Sequence, residues 1–308
     1  MKTQKKQQNS GTRLSHRRAR QKNGKWLFAP AAIALILLTI VPIVYSLYVS
    51  TTGYSLTTPG SFHVHVGLGN FKEALTDPDF ITAVWNTVRI AVPALICEII
   101  IGFALALLLN RNFFGRGLVL ALLVTPYMIA PGAAAMAWRL LFDTRYGPVN
   151  DIISKIAGNP IVIDWLGSPK IAYISLIIID IWQTTPFIML ILLAGLSSIS
   201  PEIYEAAKID GASHVQAFQH VTMPLLTPVL GVAVIFRSID LIKMFDMCHA
   251  LTKGGPGGTT MTLSYYIYRQ GLAYGRVGYG AAISFIVLIV VSLLASIYIR
   301  KTMRGGTA

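Results

Sequence analysis

Residues 26–71 of this 308-residue chain contain no lysine, arginine, aspartate or glutamate, and neither do residues 277–299. Soluble domains carry charge at about a quarter of their positions; here the figure is 13%. Roughly 20 apolar residues suffice to cross about 30 Å of hydrocarbon. Where water is absent, backbone polar groups must be satisfied within the segment, and a helix does this. The expectation is an all-α integral membrane protein.

The net charge of +13 could suggest nucleic acid, so its location matters. Nine of the 26 basic residues lie in the first 25 positions, with no acidic residue and few apolar ones among them. Residues 1–25 therefore read as a disordered basic tail. Placed before an apolar span, such a tail is retained in the cytoplasm by the positive-inside rule and by anionic headgroups. No aromatic residue interleaves it, so nucleic-acid binding is not expected. The span that follows exceeds a signal-peptide core in length and lacks a convincing small-residue cleavage site, which favours an uncleaved anchor.

Hydropathy and loop charge predict spans at about 26–49, 84–109, 118–141, 171–195, 225–249 and 277–299, so both termini share the cytoplasmic side. Residues 26–300 form the permeation body in this reading, and 301–308 a short cytoplasmic end. The 50–83 connection is acidic and outer; the turn Arg111–Arg116 is basic and inner. In the outer segment 142–170, Pro148 can start a helix with Val149, Ile152, Ile153 and Ile156 on one face. That face suits either the membrane surface or an external partner.

The inner loop 196–224 is neither basic nor low in complexity. Ser200, Pro201 and Glu202 read as N-cap, first helical residue and dipole-favourable acid. Gly211 supplies a left-handed stop, and Ser213 caps a second short helix from His214 to about Thr222, ending before Pro224. Two helices around a glycine elbow are more than a connector needs. They suit the groove of a partner.

The run Glu205-Ala206-Ala207, with Gly211 four residues on and Met223-Pro224 closing the loop, resembles the EAA loop of binding-protein-dependent ABC importer permeases, which have a MetI-like fold. The stretch from Trp182 to Pro228 and the later Leu251-Thr-Lys-Gly-Gly-Pro256 are similar to the carbohydrate branch of that family. The resemblance implies a coupling helix seated in a separate cytoplasmic ATPase. Glu205 and Asp210 would face that ATPase, Ala206 and Ala207 would permit close approach, Gly211 would make the bend and Pro224 would end the loop. It further implies a second, homologous permease subunit, two ATPase copies and an extracytoplasmic solute-binding protein. ATP and magnesium would be used by the ATPase alone. No G-x-x-x-x-G-K-[ST] loop, catalytic constellation or metal-ligand cluster is read in this sequence, so neither enzymatic activity nor a bound cofactor is expected of it.

In the fifth span Arg237, Asp240, Lys243 and Asp246 recur every third residue with alternating sign. Ionisable groups in a span face a bundle interior or a wet cavity. Two readings stand: a self-satisfied ion-pair ladder, or a lining for a polyhydroxylated solute. Asp180, Trp182 and Gln183 of the fourth span are further path candidates, the indole as a platform for a sugar face or as packing. Arg89 and Glu98 lie too far apart to pair along the second span, so their partners are sought on other helices. An ion-coupled carrier using these charges as a relay is the rival class, but the inverted repeats common there are not seen.

Overall fold

A computed structural model describes residues 28–304, with side chains to residue 300. The basic tail and the last four residues lie outside it. Helix α1 spans Phe28–Ser50. Then come α2 (Gly69–Thr76), α3 (Pro78–Leu109), α4 (Arg116–Met128), α5 (Pro131–Leu141), α6 (Pro148–Ala157) and α7 (Pro169–Ser197). The chain continues through α8 (Pro201–Ile209), α9 (His214–Ala217), α10 (Met223–Ile242), α11 (Asp246–Leu251), α12 (Leu263–Tyr268) and α13 (Val277–Arg304). Among the described residues five helical stretches are long and apolar enough to cross a bilayer, six if the bent pair α4–α5 counts as one span.

The centre is α3 against α7. Arg89 stacks on Tyr173, the Thr184 hydroxyl donates to Glu98, and Gly102 abuts Ile188, so the two helices advance together and are parallel. Helix α10 runs against them, since Glu98 meets Arg237 while Phe103 meets Phe218. Small residues at the crossings, Ala94, Gly102, Ala106 and Gly195, let the backbones approach, as spans packing in lipid require.

The third predicted span is not one helix. α4 and α5 meet at 96°. Pro131 disfavours helical geometry in the residue before it, and Ile129 and Ala130 are extended, with ψ of 134° and 133°. Helix α9 likewise does not end before Pro224. It passes through a π-turn, Phe218–Thr222, directly into α10. Proline cannot donate to the carbonyl four residues back; the wider turn, in which Met223 N–H bonds to Phe218 O, relieves that conflict. The fifth span, which runs on to Leu251, is interrupted where α10 ends at Ile242, and there Ser264 and Thr262 hydroxyls donate to the carbonyls of Ile242 and Met244. In α6 the inward residues are Val149, Asn150, Ile153 and Ser154, while Ile152 and Ile156 face out. Asn150 bonds Ile163 and the Trp165 indole, so two polar side chains displace half of the expected apolar face.

The end of the bundle where α3, α7 and α13 begin is stitched by polar contacts. Asn70 donates to the carbonyls of Ser50 and Thr52 at 2.9 and 2.8 Å. Arg276 pairs with Glu73. Asp77 caps α3 and accepts from the hydroxyls of Tyr266 and Tyr279. Burial pushes the Asp77 carboxyl up, but these two bonds and the N–H groups of Asp79 and Phe80 outweigh it and hold its pKa below 3.8. Tyr266, buried beside it, is pushed up to about 12 by that burial and by its bond to Asp77. A depressed carboxylate stabilises the fold above its ordinary pKa, and the contribution is lost as pH falls through the lowered value. Asp77→Asn should therefore lower the melting temperature at pH 7, through about 1–3 kcal/mol of weakened bonding. The gap to the parent should close in strong acid. A gap of equal size at both pH values would contradict the assignment.

Candidate functional site

Four charged side chains from three helices converge at the middle of the bundle. The Arg237 guanidinium, on α10, is 2% exposed. Its Nε donates to Glu98 Oε2 at 2.6 Å and its Nη2 to Glu98 Oε1 at 2.9 Å. Nη2 also meets Asp180 of α7, and Nη1 donates to Asp240 Oδ2 at 2.5 Å. Glu98 is wholly buried and Asp180 nearly so, whereas the Asp240 side chain is 68% exposed. A planar fork with five donors can serve several carboxylates at once; an ammonium cannot hold that geometry. The buried carboxylates are stabilised only because the guanidinium is there.

Arg237 bonds to Glu98, Asp180 and Asp240, and both Arg237 and Asp180 also border the space beside the cluster. The i, i+3 ladder survives only as Arg237–Asp240, because the helix ends before Lys243 can extend it. Lys243 makes no ion pair among the described residues, and Asp246 opens α11. The partner sought for Glu98 is Arg237; that for Arg89 is the Tyr173 ring, 3.5 Å below the guanidinium.

Gln183 has a role the sequence did not reveal. Its Nε2 donates to the carbonyl of Ile129 at 2.8 Å, satisfying a group freed by the α4–α5 break. That bond fixes the amide's orientation and leaves Oε1 buried with no partner among the described residues. Trp182 packs edge-on against Trp138 at 5.4 Å and lines neither cavity beside the cluster. One cavity, of about 230 Å³, is bounded by Tyr127, Phe187, Phe236, Arg237, Asp240 and Lys243. The second, of about 100 Å³, reaches Asp180, Gln183, Arg237, Asp240, Lys243 and Asp246. Asp240, Lys243, Asp246 and the Gln183 oxygen are among the polar groups there with unused capacity. Tyr127 and Phe187 stack at 5.7 Å and add an aromatic wall that sequence reading passed over, because Tyr127 lies on another helix.

The loop residues of the expected coupling element lie far from this cluster along α10. Ser200 accepts from Glu202 N–H, and Ser213 and Gln216 form a reciprocal capping box. Gly211 has φ of +79°; its N–H bonds Lys208 O while Ala212 N–H bonds Ala207 O, the paired bonds of a Schellman stop. Glu205, Ala206 and Asp210 are exposed, Ala207 is half-buried, and Pro224 sits in the first turn of α10.

Comparison with known proteins agrees with this architecture. Residues 98–304 match the family described as binding-protein-dependent transport system inner membrane component. The chain is 39% identical to a Sinorhizobium fredii protein named "Probable ABC transporter permease protein y4oQ", over 94% of this chain and 93% of that one. It is 35% identical to the trehalose/maltose transport system permease protein MalF of Thermococcus litoralis, over 95% and 97% of the two chains. A chain of the bacterial alginate ABC transporter, solved with an alginate pentasaccharide-bound periplasmic protein, shares the fold with a TM-score of 0.81 at 22% identity, covering 94% of this chain and 97% of that one. The chain thus belongs to the binding-protein-dependent transport system inner membrane components, the multi-pass permease subunits of ABC transporters.

Proposed function

We propose that this chain is one permease subunit of an importer for a sugar or related polyol, moving its solute by alternating access driven by a separate ATPase. The observation that carries the coupling half is the elbow. Seven of the nine residues of α8 are exposed, although the helix is capped at both ends and stopped by a left-handed glycine. An isolated helix of two to three turns is marginal in water. Such a helix is made to be held by something else, here the cleft of a cytoplasmic ATPase. The elbow, the tail and the C-terminal end would then all face the cytoplasm.

The solute half rests on the cavities beside Arg237. Their carboxylate, ammonium and amide oxygen suit hydroxyl donors and acceptors, and relatives are named for sugars. Each cavity is smaller than the few hundred Å³ of a ligand pocket, which supports a path completed by a second, homologous permease. Two ATPase copies using ATP and magnesium, and an extracytoplasmic solute-binding protein, complete the assembly.

The test is to purify the complex from membranes, identify its co-purifying subunits and measure which sugars stimulate ATP hydrolysis. Gly211 gives the sharpest variants. A Cβ there meets open space within the chain, so the internal cost is the left-handed backbone, about 1–2 kcal/mol for an ordinary residue. Asparagine tolerates that conformation. Gly211→Asn should retain sugar-stimulated hydrolysis, and Gly211→Val should lose most of it or shed the ATPase. Full ATP-driven transport by Gly211→Val, or uptake powered by an ion gradient without nucleotide, would sink the reading.

A further inference from the structure

Tyr204 is the side chain through which the exposed elbow grips the membrane body. On α8 only Tyr204 and Ala207 are even half-buried, and Ala207 contributes one carbonyl to the helix stop. The Tyr204 hydroxyl lies 3.0 Å from Thr222 Oγ1. No other α8 side chain makes a hydrogen bond or ion pair among the described residues. Thr222 is 5% exposed and is the last residue of the π-turn that leads into α10.

The π-turn touches two of the three helices that build the charge cluster. It continues into α10, which carries Arg237 and Asp240, and its Phe218 ring meets Phe103 of α3, the helix of Glu98, edge-on at 5.8 Å. A π-turn is a strained, adjustable insert in a helix, and such inserts concentrate at functional sites. Here it stands where Pro224 forbids a regular turn.

We infer that Tyr204 is a positioning residue for energy coupling: its bond to Thr222 makes the elbow and the base of α10 move as one body, with the π-turn absorbing the change in pitch. The inference rests on the coupling reading above. A displacement of α8 shifts α10 only if the two are linked in free energy. The covalent route alone passes through Asp210, Gly211, Ala212 and Ser213, a bend between the stop of α8 and the cap of α9.

The experiment uses the whole complex in lipid vesicles and needs no knowledge of the solute. A cysteine is placed by Phe236→Cys, beside the larger cavity on α10, in a Cys97→Ser, Cys248→Ser background. Maleimide labelling is compared before and after trapping with ATP and vanadate. Trapping should change the labelling rate in the parent. A net hydrogen bond of about 0.5–1.5 kcal/mol means that Tyr204→Phe and Thr222→Val should each cut that change roughly twofold to tenfold. ATP hydrolysis should persist. Thr222→Ser, which keeps the hydroxyl, should respond like the parent, and the double variant should lose no more than either single one.

An unchanged response in both Tyr204→Phe and Thr222→Val overturns the inference, as does a parent whose labelling ignores trapping. Should Tyr204→Phe fail to assemble, Thr222→Val decides, because it leaves the face of α8 intact. A purified complex without an ATPase removes the coupling reading itself; an ATP-responsive complex indifferent to Tyr204 removes this inference alone.

Discussion

Arg237→Met is expected to destabilise the chain by about 3–5 kcal/mol, a large fraction of the roughly 5–15 kcal/mol that separates folded from unfolded domains. The reason is what it leaves behind. Methionine fits the volume, but Glu98 at 0% exposure and Asp180 at 4% would keep their carboxylates with no cation. Arg237→Lys should lose less, since one ammonium replaces part of the fork. Carboxylate changes should behave differently. The cluster has three acids for one guanidinium, so Asp180→Asn removes surplus negative charge and should cost well under the loss from Arg237→Met. The double change Glu98→Gln, Asp180→Asn should restore much of the stability of Arg237→Met. Melting of the detergent-purified complex and the amount of folded chain in membranes both report the result. Arg237→Met melting with the parent would show that the cluster contributes nothing.

The same cluster shows where sequence reading reaches its limit. Ionisable residues in spans announce themselves by their cost in hydrocarbon, so Glu98, Asp180, Arg237 and Asp240 were all visible. Their pairing was not. Arg237 and Asp240 are one helical turn apart and could be matched by spacing, whereas Glu98 lies 139 residues from Arg237 and its role depends on three helices meeting. Asp180 and Gln183 looked like solute ligands because a lone polar group in an apolar run must face something polar. The structure gives Asp180 an arginine and Gln183 a bared backbone carbonyl, and both also border the smaller cavity.

Breaks were legible in proportion to how local their cause is. Ser200, Gly211 and Ser213 act on their own turns, and the elbow they predict is the elbow observed. The bend at Ile129–Pro131 also has a local cause in Pro131, but apolar runs on both sides hid it from hydropathy. The stop of α10 at Ile242 has no local cause. It is made by hydroxyls of Thr262 and Ser264, some twenty residues later in the chain. The π-turn before Pro224 is intermediate: the proline foretells a disturbance, and tertiary packing decides that the helix widens there and does not end.

Gly280 and Gly271 should give opposite results when each is changed to alanine, although they face one another. They mark the crossing of α13 over the π-turn Arg269–Ala273. A Cβ on Gly280 would sit 2.7 Å from the Gly271 Cα and 3.2 Å from its nitrogen, both backbone atoms that no rotamer change can clear. A Cβ on Gly271 would meet the Gly280 Cα at 3.6 Å, an ordinary contact. Gly280→Ala therefore forces α13 away from its neighbour and should cost about 1–3 kcal/mol; Gly280→Leu should prevent folding. Gly271→Ala adds no clash and stiffens a helical turn, where alanine is favoured over glycine by up to about 1 kcal/mol. It should be neutral or stabilising. The contact also anchors the Asp77–Tyr266–Tyr279 stitching, because Tyr279 precedes Gly280 directly. Gly280→Ala should accordingly erase most of the melting difference between the parent and Asp77→Asn. Equal losses from the two glycine substitutions would mean that helix flexibility, and not close approach, is what these positions require.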